Sequence, residues 1–131
     1  MRRVRLHRDL SPGARIFRVL HAAIAAAFLV AIVYVWWCAL SGRRGRLLSV
    51  AVTALVAEGI LVLINRGDCP LGGLQERMGD PVPLFELVLS PPAARRAVPV
   101  LGVVTAAGLF VLARRDATPK MDRQVQTSHM L

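Results

Sequence analysis

His21, Glu58 and Cys69 are the residues of this chain whose types could do chemistry together. A thiol becomes a nucleophile when a nearby base takes its proton, and His21 is the base candidate in the right layer. Glu58 stands inside the apolar run Leu47 to Ile64, roughly 9 Å from the Asn65 end of a helix. A carboxyl group at that depth is costly unless it is paired, protonated or solvated. His21 stands two positions inside the run Val19 to Leu40, and Arg18 directly precedes that run. Asn65 shares the helix face of Glu58, and Arg66 follows it. The candidate pocket is therefore Glu58, His21 and Arg18, with Asn65 and Arg66 at its mouth, and Cys69 is a candidate reactive thiol. Two readings of the pocket stay open. It holds two helices in register, or it handles a proton, a small ligand or a substrate. Cys69 also has two readings, because "DCPLGG" reads well as a plain turn whose Pro70, Gly72 and Gly73 break helices.

Other chemistries have little support. The sequence holds no phosphate-binding loop, no HExxH and no Cys-x-x-Cys pair. A metal needs several converging ligands. Asp68 and Cys69, with His21 or Glu58, are too few, so no metal is assigned. A b-type haem wants axial histidines, and only His21 lies in an apolar run, since His7 and His129 are in the tails. No cofactor is expected. Nothing in the motifs requires an enzyme, and no catalytic residue is assigned. Cys38 and Cys69 lie at the ends of successive apolar runs, so no disulfide is expected between them.

These side chains must be positioned by membrane-spanning elements. The chain has 131 residues, 55% of them apolar, with a mean hydropathy of +0.52. That balance is high for a water-soluble domain. Three apolar runs stand out: Val19 to Leu40, Leu47 to Ile64 and Ala97 to Ala113. A bilayer core needs about 20 helical residues. The first run satisfies this alone, the second nearly so, and the third by extending backward to a Ser90 cap with Pro91 as the first helical residue. The first run is read as a span rather than a cleaved leader, because of its length and its terminal Trp36-Trp37, which fits an interfacial belt. The fold expected is an all-α membrane bundle over residues 1–115, with spans at about 17–40, 47–65 and 93–113. Residues 116–131 should form a flexible tail.

The connector 66–92 reads as two short pieces. In "LGGLQERMG", Leu71, Leu74 and Met78 share one helix face, and Gly79 is a C′ stop. In "DPVPLFELVL", Asp80 would cap a short interfacial or re-entrant helix starting at Pro81, with a fourth crossing over Val82 to Leu89 as the alternative. Small residues recur every fourth position: Ser49, Thr53 and Ala57; Ala23, Ala27 and Ala31; Gly102 and Ala106. They predict close helix packing. Pro99 predicts a kink or a helix start.

The net charge of +9 comes from sixteen Arg and one Lys against eight acidic residues. The Arg residues flank the apolar runs instead of forming a stripe with aromatics, so nucleic acid is not an expected partner. With the N-terminus inside, ten cations fall inside and seven outside. This favours a cytoplasmic N-terminus in a bacterial inner (plasma) membrane. The expected partners are the lipid bilayer and a membrane-protein partner or second copy. The expected role is a small accessory or assembly subunit, and the alternative is a proton- or ligand-handling pocket around Glu58 and His21.

A His in the first span, a Glu in the second and then "CPLGGLQ" resemble a group of small actinobacterial multi-pass membrane proteins of unknown function that carry Cys-Pro-Leu just after their second span. The likeness covers roughly His21 to Leu89 and rests on Glu58, Cys69, Pro70, Leu71 and Leu74. That group continues with Thr and then Leu-Glu, where this chain has Gly72 and Leu74-Gln75, and here Glu58 stands further from Cys69. The resemblance implies that Glu58, His21 and the Cys-Pro-Leu turn belong to one site.

Overall fold

The structure, a computed structural model, describes residues 10–67, 69–117 and 128–129. Four α-helices form in order: α1 (Pro12–Ser41), α2 (Arg46–Ile64), α3 (Pro70–Arg77) and α4 (Pro91–Ala117), with one 3₁₀ turn at Leu84–Leu87. The fold is an all-α bundle. At 1.5 Å per residue, α1, α2 and α4, with 30, 19 and 27 residues, reach about 45, 28 and 40 Å, enough to cross a hydrocarbon core of about 30 Å.

Each helix start has a local cause. α1 begins five residues before the expected position, because Ser11 caps it and Pro12 occupies its first turn. The Ser11 hydroxyl accepts from the Ala14 N–H at 3.2 Å. α4 begins at Pro91 as the sequence predicts, with the Ser90 carbonyl accepting from Ala94 N–H. It runs through Pro99 instead of starting there. Gly42, with φ 77°, turns the chain out of α1, and "GRRG" carries it into α2 as an antiparallel neighbour. The expected tail over 116–131 falls outside the described residues beyond Ala117, apart from Ser128 and His129.

α1 is the central helix, packing against both α2 and α4, which meet each other only slightly. The core lies toward the Gly42–Gly45 end. It combines Val35, Cys38 and Ala39 of α1 with Leu48, Ala51 and Leu55 of α2 and Leu112 of α4. Here the sequence expectation needs correcting. The packing face of α2 is Leu48, Ala51 and Leu55, while Ser49, Thr53 and Ala57 face outward. Ala23, Ala27, Gly102 and Ala106 are also exposed, and only Ala31 of the small-residue sets packs on the core. The close approach occurs elsewhere. The Trp36 ring lies on Gly108, where a Cβ would come within 2.9 Å of the indole nitrogen, and its N–H donates to the Val104 carbonyl at 3.1 Å. Trp36 therefore anchors α4, and only Trp37 points outward.

Only 6%, 17% and 11% of the most apolar windows of α1, α2 and α4 are buried within the molecule. Side chains such as Val30, Val33, Val50, Leu63, Val103 and Phe110 lie on the surface. In water this would be a far larger apolar patch than a monomer tolerates. In hydrocarbon it is the ordinary exterior of a spanning bundle. The chain is a membrane protein by this measure. Thr53 and Thr105 satisfy their hydroxyls within their own helices, on the carbonyls of Ser49 and Leu101.

Candidate functional site

The antiparallel pairing puts the start of α1, the end of α2, the connector and the start of α4 at one end of the bundle. The connector forms a cap there. α2 ends in the exposed turn Asn65–Gly67, with Arg66 at φ 59° and Gly67 at φ 91°, and the Gly67 N–H closes back on the Val62 carbonyl at 2.8 Å. This turn aims the chain back over α1. Cys69 then stands at the N-cap of α3, with Pro70 at its first position. α3 ends at Met78, and Gly79 supplies the left-handed residue at φ 92° that the sequence predicts.

In α3, Leu74 and Met78 are 45% and 40% exposed and Leu71 is half-buried, while Gln75 is 2% exposed and faces the bundle. Asp80 does not cap a following helix. It is buried, and its carboxylate takes both arms of the Arg18 fork, with Nε to Oδ2 at 2.6 Å and Nη2 to Oδ1 at 2.5 Å. It also accepts from the Val82 N–H and from the Gln75 amide. Residues 82–89 form only the single 3₁₀ turn, with Pro83 before it, and do not build a crossing helix.

Gln75 connects two parts of the site. Its Nε2 donates to Asp80 Oδ2 and to the Val82 carbonyl, both at 2.9 Å. Both partners are acceptors, so the amide orientation is settled, and Oε1 must face His21 Nδ1 at 2.6 Å. Nδ1 therefore carries a hydrogen, and in the neutral ring the lone pair sits on Nε2. That nitrogen lies 3.7 Å from Cys69 Sγ, and on another side of the sulfur Glu58 Oε1 lies at 3.8 Å. Phe17, one turn before His21, covers the imidazole with ring centroids 6.2 Å apart. The result is a continuous run of contacts from Glu58 through Cys69, His21, Gln75 and Asp80 to Arg18.

The structure thus brings together His21, Glu58, Arg18 and Cys69 of the sequence-derived set, but joins Glu58 to His21 through the Cys69 sulfur. Asn65 and Arg66 are exposed in the turn that ends α2. Gln75 and Asp80 were missed. Asp80 before Pro81 reads as a helix cap, and Gln75 carries no sequence signal beyond its place six residues after Cys69. Among the described residues, no group of three His, Cys, Asp or Glu side chains is arranged to hold a metal ion. Cys38 and Cys69 are free, and Cys38 is buried in the core at the other end.

The electrostatics divide the site in two. Burial pushes the Asp80 carboxyl up, but the Arg18 fork, the Val82 N–H, the Arg18 charge and the Gln75 amide together outweigh it and hold the pKa below the ordinary value. Asp80 is a structural anion. Burial pushes the Cys69 thiol up, the Glu58 carboxyl adds to that, and the backbone N–H groups of Leu71 and Gly72 oppose it. At neutral pH Cys69 is therefore a thiol with a proton to give, and it needs a base to become a nucleophile. His21 Nε2 is placed to take that proton.

Comparison with protein families, with curated proteins and with solved structures finds no match to this chain.

Proposed function

We propose that this small multi-pass membrane protein carries a base-assisted thiol at its capped end. Cys69 is the nucleophile and His21 the base that takes its proton. Gln75 is a positioning residue that fixes the His21 tautomer, and the Arg18–Asp80 pair clamps the cap that holds Gln75 in place. Glu58 borders the thiol on the membrane side and shares its proton. One observation carries this reading: His21 presents Nε2 to Sγ at 3.7 Å while Nδ1 is committed to Gln75. A nucleophile, a base and a group orienting the base form the general pattern of activated nucleophiles. The resemblance noted above, which ties Glu58, His21 and the Cys-Pro-Leu turn together, points the same way. The deciding measurement is the iodoacetamide alkylation rate of Cys69 against pH. His21→Ala should slow it by about 100-fold at neutral pH, the lower end of general-base contributions. A rate unchanged by His21→Ala and by Gln75→Ala would leave the cluster purely structural.

A second reading, an accessory or assembly subunit, is favoured by the outward stripe of Ser49, Thr53 and Ala57 on a helix that packs mainly along α1. Small residues on an uncovered face suit close approach by another spanning helix or a second copy. Crosslinking in native membranes tests it: Ala57→Leu should abolish a stoichiometric crosslink without unfolding the chain. For localisation, the reading is a bacterial inner membrane with the N-terminus and cap on the cytoplasmic side, following the modest excess of cations there. A membrane-impermeant maleimide applied to intact cells should then miss Cys69.

A further inference from the structure

The cap exposes apolar side chains at the end of the bundle where the chain turns back. α3 buries its glutamine and exposes Leu74 and Met78 beside Glu76 and Arg77, and Val88 after the 3₁₀ turn is 87% exposed. At the end of α2, just before the turn to Cys69, Leu63 and Ile64 are 78% and 75% exposed. Exposed apolar side chains set beside charged ones at the end of a spanning bundle are the pattern of a segment lying in the membrane interface. Cys69 opens α3, so its thiol, only half covered, lies at the boundary between headgroups and acyl chains. An electrophile reaching it arrives along an apolar surface.

Resting on the thiol centre proposed above, we infer that Cys69 is an acyl-acceptor site whose substrate class is a long-chain acyl thioester. The sulfur attacks the thioester carbonyl while its proton passes to His21 Nε2. The tetrahedral intermediate collapses, the carbon–sulfur bond to the departing thiol breaks, and His21 returns the proton to that thiol. Acyl thioester and Cys69 thiol become Cys69 thioester and free thiol, with no oxidant or reductant needed. The base matters because the thiol is held protonated. The Leu71 N–H, facing the sulfur at the start of α3, adds a donor beside the reacting centre. The apolar rim supplies the preference for a long chain, since each methylene taken out of water adds to binding.

The test uses the full chain in lipid nanodiscs with two alkyne-tagged probes, a palmitoyl and a short-chain thioester of coenzyme A. Wild type and Cys38→Ser should take a hydroxylamine-labile label from the palmitoyl probe, Cys69→Ser none, and the short-chain probe should label at least tenfold more slowly. His21→Ala, and also His21→Gln, which keeps a polar partner for Gln75, should slow labelling about 100-fold, in line with general-base catalysis. Equal labelling by both probes, or labelling indifferent to His21, overturns the inference. If iodoacetamide alkylation depends on His21 but neither thioester transfers its acyl group, the acyl-acceptor inference falls and the thiol centre stands. If neither reaction depends on His21, both fall.

Discussion

Replacing Arg18 with methionine should release the cap while leaving the three spans intact. The methionine keeps the apolar stem of Arg18 but removes the fork. Asp80 then stays buried, its side chain 1% exposed against 20% for Arg18, with only Gln75 and the Val82 N–H as donors. Removing one partner of a fully buried pair costs about 3–5 kcal/mol. Arg18 is partly solvated and two donors remain, so about 2–3 kcal/mol is the appropriate figure here, or roughly 30- to 150-fold in the cap-opening equilibrium. Amide hydrogen exchange over residues 70–82 in nanodiscs reads this directly, because local opening is what it reports. The pH dependence has a definite sign. The folded Asp80 pKa lies below the unfolded value of about 3.9, so its contribution is complete above that value and is lost as pH falls through the lower folded one. In Arg18→Met the fork and its charge no longer lower the Asp80 pKa, so this pH dependence should shrink. Arg18→Met with Asp80→Asn should cost less than the sum of the two single changes, because each single change already breaks the pair. Strict additivity, or unchanged exchange in α3, refutes the clamp.

Other outcomes follow from individual contacts. Gly108→Ala should cost about 1–3 kcal/mol of bundle stability by pushing Trp36 off α4, visible as a shift in tryptophan emission. Gly102→Ala, where an added Cβ meets nothing within 4 Å, should leave the emission unchanged. Glu58→Gln should lower the pH midpoint of Cys69 alkylation, because the Glu58 carboxyl helps push the thiol up; a midpoint that rises or stays put would contradict the placement of Glu58. Asp116→Ala removes an exposed pair with Arg44 at 2.8 Å and should change thermal stability by less than about 1 kcal/mol.

The spans were legible because hydrocarbon imposes one rule on every residue of a crossing helix, and length with composition is enough to read it. Ser11-Pro12 and Ser90-Pro91 illustrate how far local signals go. Both are cap sequences, but only the second was read, because the apolar run behind the first draws the boundary inward to about residue 17. The small-residue stripes misled because spacing alone cannot say which face of a helix another helix takes. α1 needs Gly108 for Trp36, and it meets α2 through leucines and an alanine instead of the serine–threonine stripe.

The site was half legible for a related reason. Glu58, His21, Arg18 and Cys69 announce themselves as polar groups in or beside apolar runs. Gln75 and Asp80 lie in a segment where polar residues are ordinary, so nothing in their spacing separates a buried partner from a solvated one. The phase of α3 held the clue. On a helix of 3.6 residues per turn Gln75 stands only about 40° from Leu71 and about 60° from Met78, on the flank of the apolar stripe. The bundle takes the side of Leu71 and Gln75, where His21 waits for an acceptor, and leaves Leu74 and Met78 on the exposed side with Glu76 and Arg77. The polar residue that flanks the apolar stripe of such a helix is therefore the one to search for a site, and in this chain it orients the base of Cys69.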